Sequence, residues 1–175
     1  MFASEYMTEK PDIICLSKGL TGGTMALGIT ACTQKIVNAF VDDDPMKTFF
    51  HGHSFTANPL ACTAAQASLE LLLKEECLEN IQTICEQHKI FALQLNKFST
   101  VKNVRCKGTI IAFEYYTGED GYLNDISQAV TAYMLDNGVY LRPLGNTVYV
   151  MPPYCISMEQ LQKVYHALIN FIQSR

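Results

Sequence analysis

Lys18 is the residue whose type and position most directly indicate chemistry in this sequence. It follows the apolar run IICL (residues 13–16) and one serine, and a glycine-rich turn begins immediately after it. The apolar run predicts a buried strand that carries the lysine to the rim of a sheet. Partial desolvation there favours the neutral amine, a nucleophile that forms a Schiff base with an aldehyde cofactor. From spacing alone, a solvated lysine at a strand end is the simpler interpretation.

Two other segments contain side chains that suit anions. In HGHSFTANPLAC (51–62), Ser54 lies in a turn just before a helix, where a hydroxyl and backbone N–H groups can bind a phosphate. In LRPLG (141–145), Arg142 ends a predicted strand, and its planar guanidinium suits a carboxylate. Simpler interpretations are that Ser54 caps its own turn and that Arg142 forms an interdomain salt bridge. The nearby Tyr149 is equally well interpreted as a core residue.

These segments, in this order, resemble motifs of the class III aminotransferases of fold type I. The matching stretches are CLSKGLTGGTMALGIT (15–30), HGHSFTANPLAC (51–62), and LRPLG followed by YVMPPY (149–154). The resemblance extends from about Phe2 to the end of the chain. Most members have a proline after the double glycine, whereas the Gly23-Thr24-Met25 sequence here resembles the branch that acts in biotin synthesis.

The resemblance implies pyridoxal phosphate as the cofactor and Lys18 as the catalytic residue. This lysine would hold the cofactor covalently and then move a proton between the substrate and the cofactor. Gly52, His53 and Ser54 match the segment that binds the cofactor phosphate, with Ser54 contributed by the partner subunit of a homodimer. His53 departs from the pattern of the biotin branch, in which a proline is often found at this position.

The substrate residues implied by the resemblance are Gly52, Arg142 and Tyr149, with Arg142 on the carboxylate of the keto substrate. The implied reaction moves an amino group from S-adenosylmethionine to 8-amino-7-oxononanoate and gives 7,8-diaminononanoate. Another class III transaminase acting on ω-amino donors is an alternative. His51 and His53 are two residues apart without an acidic or cysteine partner nearby, so no metal site is expected.

A family motif that supplies a carboxylate to the pyridine nitrogen has no counterpart in this sequence. The acids near the start are Glu5, Glu9 and Asp12, in a different context. The chain therefore resembles the C-terminal part of a family member, and we expect it to be inactive alone. It could then be a non-catalytic piece or a module that requires an N-terminal half.

Composition excludes several other classes of protein. A net charge of -4 and the absence of a basic run argue against a nucleic-acid partner. No apolar stretch reaches the length needed to span a membrane, and no signal peptide is evident at the start. The 7 cysteines lack C-x-x-C spacing and lie mostly in apolar runs, which predicts reduced core residues in a cytoplasmic protein.

The elements that would position these residues indicate an α/β fold in two parts. Residues 1–98 would be the end of the large cofactor-binding α/β domain of fold type I, and residues 99–175 a small α+β domain. Strands are predicted at 25–33 and 109–115, and a hairpin of 139–142 with 147–151 around Gly145-Asn146. Helices are predicted at 34–40, 59–74 and 77–98, then from Asn124 or Asp125 to about 137, and after a Ser157 cap.

Overall fold

Two stretches of the chain form separate compact units, Met1–Leu73 and Lys74–Arg175. The computed structural model describes residues 2–116 and 126–175. Each unit combines helices with a small antiparallel sheet. Within the described part of the chain, no helix is both long and apolar enough to cross a membrane.

The first unit is organised around a pair of antiparallel strands that leads into the lysine. β1 (Ile13–Leu16) pairs with β2 (Ile29–Cys32), and Cys15 lies opposite Thr30. Directly after β1 the chain forms a short 3-10 helix, Lys18–Thr21, named here the lysine turn. Among the described residues the sheet has 2 strands. The side chains of β1 are largely exposed, so the prediction of a buried strand is wrong for this chain.

The predicted helix that follows the HGHSFTANP segment is confirmed as α2 (Pro59–Leu72), while α1 (Gln34–Val37) is shorter than predicted. The Asn58 side chain accepts a hydrogen bond from the backbone N–H of Leu60 at 3.0 Å. Proline at the first helical position completes the predicted start, since its missing N–H would have had no helical partner. α2 packs against the lysine turn.

The second unit contains a three-stranded antiparallel sheet in the order β3-β4-β5. Its strands are β3 (Val101–Lys107), β4 (Ile110–Tyr115) and β5 (Thr147–Val150). α3 (Glu75–Leu95) packs on β3 and β4, so the helix predicted at 77–98 belongs to this unit. The assignment of residues 1–98 and 99–175 to two family domains stays a prediction.

Two further helices complete the second unit and its core. α4 (Ile126–Asp136) contacts α5 (Met158–Gln173), and the predicted start of α4 at Asn124 or Asp125 lies outside the described residues. The predicted Ser157 cap is confirmed as a reciprocal pair with Gln160. The core is formed by apolar side chains from all three helices and the sheet, including Ile84, Phe91, Leu95, Ile111, Phe113, Val130, Met134, Val148, Leu161, Leu168 and Phe171.

The predicted hairpin around Gly145-Asn146 is wrong, although the turn itself is present. Leu144 and Thr147 exchange both backbone hydrogen bonds, at 2.9 and 3.0 Å, but residues 139–143 form no strand. The pairing therefore stops at the single Leu144–Thr147 bridge. β5 instead pairs with β4, with Tyr149 opposite Ala112.

A histidine with a fully defined hydrogen-bond arrangement lies in the core of the second unit. His88 is fully buried; its Nε2 lies 3.0 Å from the carbonyl oxygen of Thr109 and its Nδ1 lies 2.6 Å from the Tyr165 hydroxyl. A carbonyl only accepts, so Nε2 donates to it and the hydroxyl donates to Nδ1. Burial lowers the pKa of His88, against a smaller opposite effect of the Thr109 hydrogen bond. Burial also raises the pKa of the Tyr165 hydroxyl.

The cysteines are free, but the prediction that they are core residues is wrong for most of them. Cys15, Cys32, Cys62 and Cys155 are exposed, and the remaining three are half-buried. Cys15, Cys32 and Cys62 lie on β1, β2 and α2, whose side chains are mostly exposed. An apolar sequence run therefore did not imply burial in this part of the chain.

Candidate active site

Lys18 occupies a strained backbone position on the wall of a cavity. Its φ is 55°, in the left-handed region, which costs a non-glycine residue roughly 1–3 kcal/mol. Among the described residues, the others of this kind are Ala57 and Asn103. Lys18 and Ala57 line the same cavity, whose volume is about 1320 Å³. Strain at two positions of one cavity is typical of a functional site.

The lysine turn is fixed by a buried threonine rather than by the strands alone. The Thr21 hydroxyl donates to the carbonyl of Met25 at 2.6 Å and accepts from the Met25 N–H at 3.3 Å. Between them, Gly22 and Gly23 have φ values of 62° and 80°, which glycine adopts without strain. The turn thus returns the chain so that residues 23–28 form a second part of the cavity wall.

The other side of the cavity comes from the segment before α2. Phe49, His51, His53 and residues 55–58 line it. The His53 Nδ1 accepts a hydrogen bond from the backbone N–H of Phe55 at 3.1 Å, so this nitrogen is unprotonated in that arrangement. The segment ends at Asn58, the N-cap of α2, which places the start of a 14-residue helix beside the cavity.

The chemical character of the cavity follows from its lining. Lys18 is the one lysine or arginine among the described residues that line it, and no aspartate or glutamate is among them. Hydroxyl groups are supplied by Ser17, Thr24, Thr30 and Thr56. One amine and several hydroxyls can hold an anionic ligand that carries an electrophilic carbon.

Of the three residues predicted to bind the phosphate, Gly52, His53 and Ser54, the structure places one on the cavity wall. His53 lines the cavity, whereas Gly52 and Ser54 lie beside lining residues without being part of the lining described. The His53 N–H donates to the hydroxyl of Thr56 at 3.1 Å, which folds the segment back on itself. The predicted phosphate contacts of Gly52 and Ser54 stay predictions.

Arg142 and Tyr149, the predicted substrate residues, belong to the second unit. Arg142 is exposed, and within the described residues no carboxylate pairs with it. The adjacent Pro143 carbonyl accepts from the Ser127 hydroxyl at 3.4 Å, which ties this segment to α4. Tyr149 is half-buried on β5. Their roles toward a substrate stay predictions.

Several cavity residues were not predicted from the sequence. Thr24, Met25 and Thr56 line the cavity, and Ala57 adopts the left-handed conformation. Asn58 was predicted only as a helix cap. The available signal was proximity to Lys18 and Ser54 in the sequence; a positive φ at alanine has no sequence signature, because alanine has no intrinsic preference for that region.

Comparison with known proteins identifies the family. A profile of the family described as aminotransferase class III matches residues 1–172. The chain belongs to the class III aminotransferases. The resemblance to this family, which rested on the Lys18 segment and the two later segments, is therefore confirmed.

The class III relatives in curated collections are longer than this chain. An adenosylmethionine-8-amino-7-oxononanoate aminotransferase of Synechococcus elongatus is 42% identical over 171 residues, which cover 98% of this chain and 40% of that protein. The enzyme of the same name from Helicobacter pylori is 36% identical over 179 residues, again 98% and 40%. The chain thus spans about 40% of the length of these relatives.

Solved structures of class III aminotransferases share the fold. The adenosylmethionine-8-amino-7-oxononanoate aminotransferase of Methanocaldococcus jannaschii superposes with a TM-score of 0.85 at 34% identity, covering 94% of this chain and 39% of that one. An amine transaminase from an uncultivated Pseudomonas species, solved with pyridoxal phosphate bound, gives 0.80 at 26% identity, with 94% and 38% covered. The predicted α/β class, as the C-terminal portion of a fold-type-I transferase, is confirmed.

Proposed function

We propose that this chain supplies the cofactor-holding lysine, Lys18, of a pyridoxal phosphate-dependent aminotransferase. The complete enzyme would move an amino group from S-adenosylmethionine to 8-amino-7-oxononanoate. The observation that carries the proposal is the strained position of Lys18 on the wall of a cavity, in a chain of the class III family. The names of the relatives at 42% and 36% identity support the choice of substrates.

The residues of the cavity fit pyridoxal phosphate. The amine of Lys18 matches the aldehyde, and the hydroxyl of Thr56, which accepts from the His53 N–H and keeps its own proton to donate, matches a phosphate oxygen. Phe49 and Phe55 offer apolar surface for a ring. When bound, the cofactor supplies an electron-withdrawing ring that stabilises negative charge on the carbon losing a proton.

Lys18 would have two successive tasks in this reaction. Its Nζ would hold the cofactor against the cavity wall. The same Nζ, when free, would act as the base that takes a proton from the Cα of the amino donor. A defined backbone conformation at Lys18 suits both tasks, because misplacing a reacting group by about 1 Å can cost about a hundredfold in rate.

Further residues are assigned to the substrates and the phosphate. Gly52, His53 and Ser54 would bind the phosphate, with Ser54 contributed by the partner subunit of a homodimer, as the resemblance implies. Arg142 would bind the carboxylate of 8-amino-7-oxononanoate, and Tyr149 and Gly52 would contact the substrate. The exposure of Arg142 and the lack of a carboxylate partner among the described residues support its role. A cytoplasmic location for the complete enzyme stays a prediction.

A chimera tests the proposed reaction. The part of the Synechococcus elongatus relative that precedes its match would be joined to this chain, and amino transfer to 8-amino-7-oxononanoate would be assayed. We expect turnover with S-adenosylmethionine and much less with simple ω-amino donors. Turnover with ω-amino donors alone would replace the proposed substrates with those of another class III transaminase.

The 175-residue chain alone is expected to lack transaminase activity. No carboxylate lines the cavity among the described residues, so none of them would hold a proton on the cofactor's ring nitrogen. Without that proton the ring is a weaker acceptor of electrons. Ordinary turnover by the purified chain with an amino donor and a keto acid would contradict this expectation.

A further inference from the structure

Thr21 is a buried polar residue to which the proposed chemistry gives no task. It is 2% exposed, in a unit where nearly all other described side chains are accessible. Its hydroxyl donates to the Met25 carbonyl at 2.6 Å and accepts from the Met25 N–H at 3.3 Å. Both partners are backbone groups, so this side chain closes a loop of main chain.

The loop that Thr21 closes connects two parts of the cavity wall. Lys18 starts the turn that Thr21 ends, and Met25 lies in the wall formed by residues 23–28. The Thr21 carbonyl also accepts from the Thr24 N–H at 3.2 Å and from the Thr24 hydroxyl at 2.8 Å. Thr21 therefore holds the lysine turn and the cavity wall formed by residues 23–28 together.

This turn needs an external constraint because of its composition. Gly22 and Gly23 have φ values of 62° and 80°, and glycine has more backbone freedom than any other residue. Lys18 itself lies in the left-handed region, which is retained only where surrounding contacts enforce it. The turn also packs against α2, where the Ser68 hydroxyl donates a long hydrogen bond of 3.4 Å to the Gly19 carbonyl.

We propose that Thr21 is a positioning residue for Lys18. Its buried hydroxyl, bonded to both backbone groups of Met25, fixes the lysine relative to the cavity wall formed by residues 23–28. The proposal rests on the proposed role of Lys18 as the cofactor-holding residue. Thr21 does not line the cavity, so it acts through the backbone and not by contact with the ligand.

The test uses the 175-residue chain and pyridoxal phosphate, titrated at equilibrium and followed by absorbance. Subtracting the titration of Lys18→Ala isolates binding at Lys18 from reaction at other lysines. Thr21→Val replaces the hydroxyl with a methyl group of similar size and should weaken binding at Lys18 about tenfold, as expected for the loss of a buried hydrogen bond. Thr21→Ser keeps the hydroxyl and should remain close to wild type.

The matched control is Thr63→Val, in the same unit. The Thr63 hydroxyl donates to the Pro59 carbonyl at 2.8 Å on the exposed side of α2, so binding at Lys18 should not change. Circular dichroism of each variant reports folding separately, and a purely structural role for Thr21 would change that signal while leaving the affinity of the folded fraction intact.

The outcomes separate the two proposals. If wild type and Lys18→Ala titrate identically, the role of Lys18 is wrong. If Lys18 binds the cofactor and folded Thr21→Val binds it equally well, the role of Thr21 is wrong. A loss in Thr21→Ser as large as in Thr21→Val would also overturn it, since side-chain volume would then matter and not the hydroxyl.

Discussion

The two units of this chain differ sharply in how much of their apolar surface they bury. Among the described residues up to Leu73, only Thr21 and Ala61 are buried. From Lys74 onward, helices and sheet enclose a continuous apolar core with its own hydrogen-bonded histidine. The second unit therefore carries the interactions that stabilise its fold, whereas the first carries a cavity with a reactive amine.

The exposed apolar residues of the first unit have a physical consequence. Phe49, Phe50, Phe55 and Leu60 are each more than half exposed. Large apolar side chains left exposed in such numbers favour association or aggregation. We expect substitutions in the core of the second unit to change the free energy of unfolding. Substitutions at the cavity of the first unit should instead change cofactor binding and the rate of amino transfer.

The largest expected effect is on chemistry, from Lys18→Ala in the chimera described above. Removing a residue that acts as both covalent holder and base should lower the rate of amino transfer by roughly a thousandfold or more. The unfolding midpoint should barely change, because Lys18 is exposed. Lys35→Ala, an exposed lysine on α1, is the control and should retain activity. Comparable losses in both variants would contradict the assignment.

A pair of phenylalanines tests the difference in burial directly. Phe113→Ala removes a side chain that is 1% exposed from the core of the second unit and should cost about 3–5 kcal/mol in the free energy of unfolding. Phe50→Ala removes one that is 78% exposed and should change it by less than about 0.5 kcal/mol. Denaturant unfolding of the 175-residue chain followed by circular dichroism measures both. Equal costs would mean that the first unit also has a stabilising core.

Arg142 is the expected exception, a residue of the second unit that contributes to chemistry. Arg142→Ala in the chimera should raise KM for the keto acid by about 10–100-fold, the effect of losing a hydrogen-bonded charge. KM for the amino donor should change far less, because only one substrate presents that carboxylate. Steady-state kinetics with each substrate varied in turn provides the comparison, and equal effects on both would indicate a structural salt bridge.

The smallest effect concerns pH and the buried histidine. The pKa of His88 is lowered from 6.5 by burial, so between that value and its native pKa the unfolded chain binds a proton that the folded chain does not. Stability should therefore fall as the pH falls below about 6.5, by at most about 1.4 kcal/mol per pH unit. Unfolding at several pH values should show this slope in wild type and in His166→Gln, an exposed control, but not in His88→Gln.

Sequence patterns predicted the elements of the second unit well because local and tertiary signals agree there. The helical spacing of Ile84, His88 and Phe91 matches their burial in the core. The cap at Ser157 follows from side-chain chemistry within one turn. The hairpin prediction failed because strand propensity at 139–142 does not by itself decide pairing, and the pairing of β5 with β4 is a long-range choice.

For the candidate site, the sequence identified the segments but not their geometry. The run into Lys18 and the segment around His53 were both located, and the structure brings them to one cavity. The left-handed backbone at Lys18 and Ala57 was not predictable, since neither residue type favours it. The role of the Thr21 hydroxyl depends on a turn that only the three-dimensional structure reveals.

The central claim, that Lys18 is the residue that takes the cofactor, has a direct test. The 175-residue chain would be incubated with pyridoxal phosphate, reduced with borohydride and digested, and the modified peptides would be located by mass spectrometry. Lys18 should carry most of the label at low cofactor concentration, and Lys18→Ala should lose that label without a gain elsewhere. A label centred on Lys35 or Lys47, or spread evenly over the lysines, would contradict the claim.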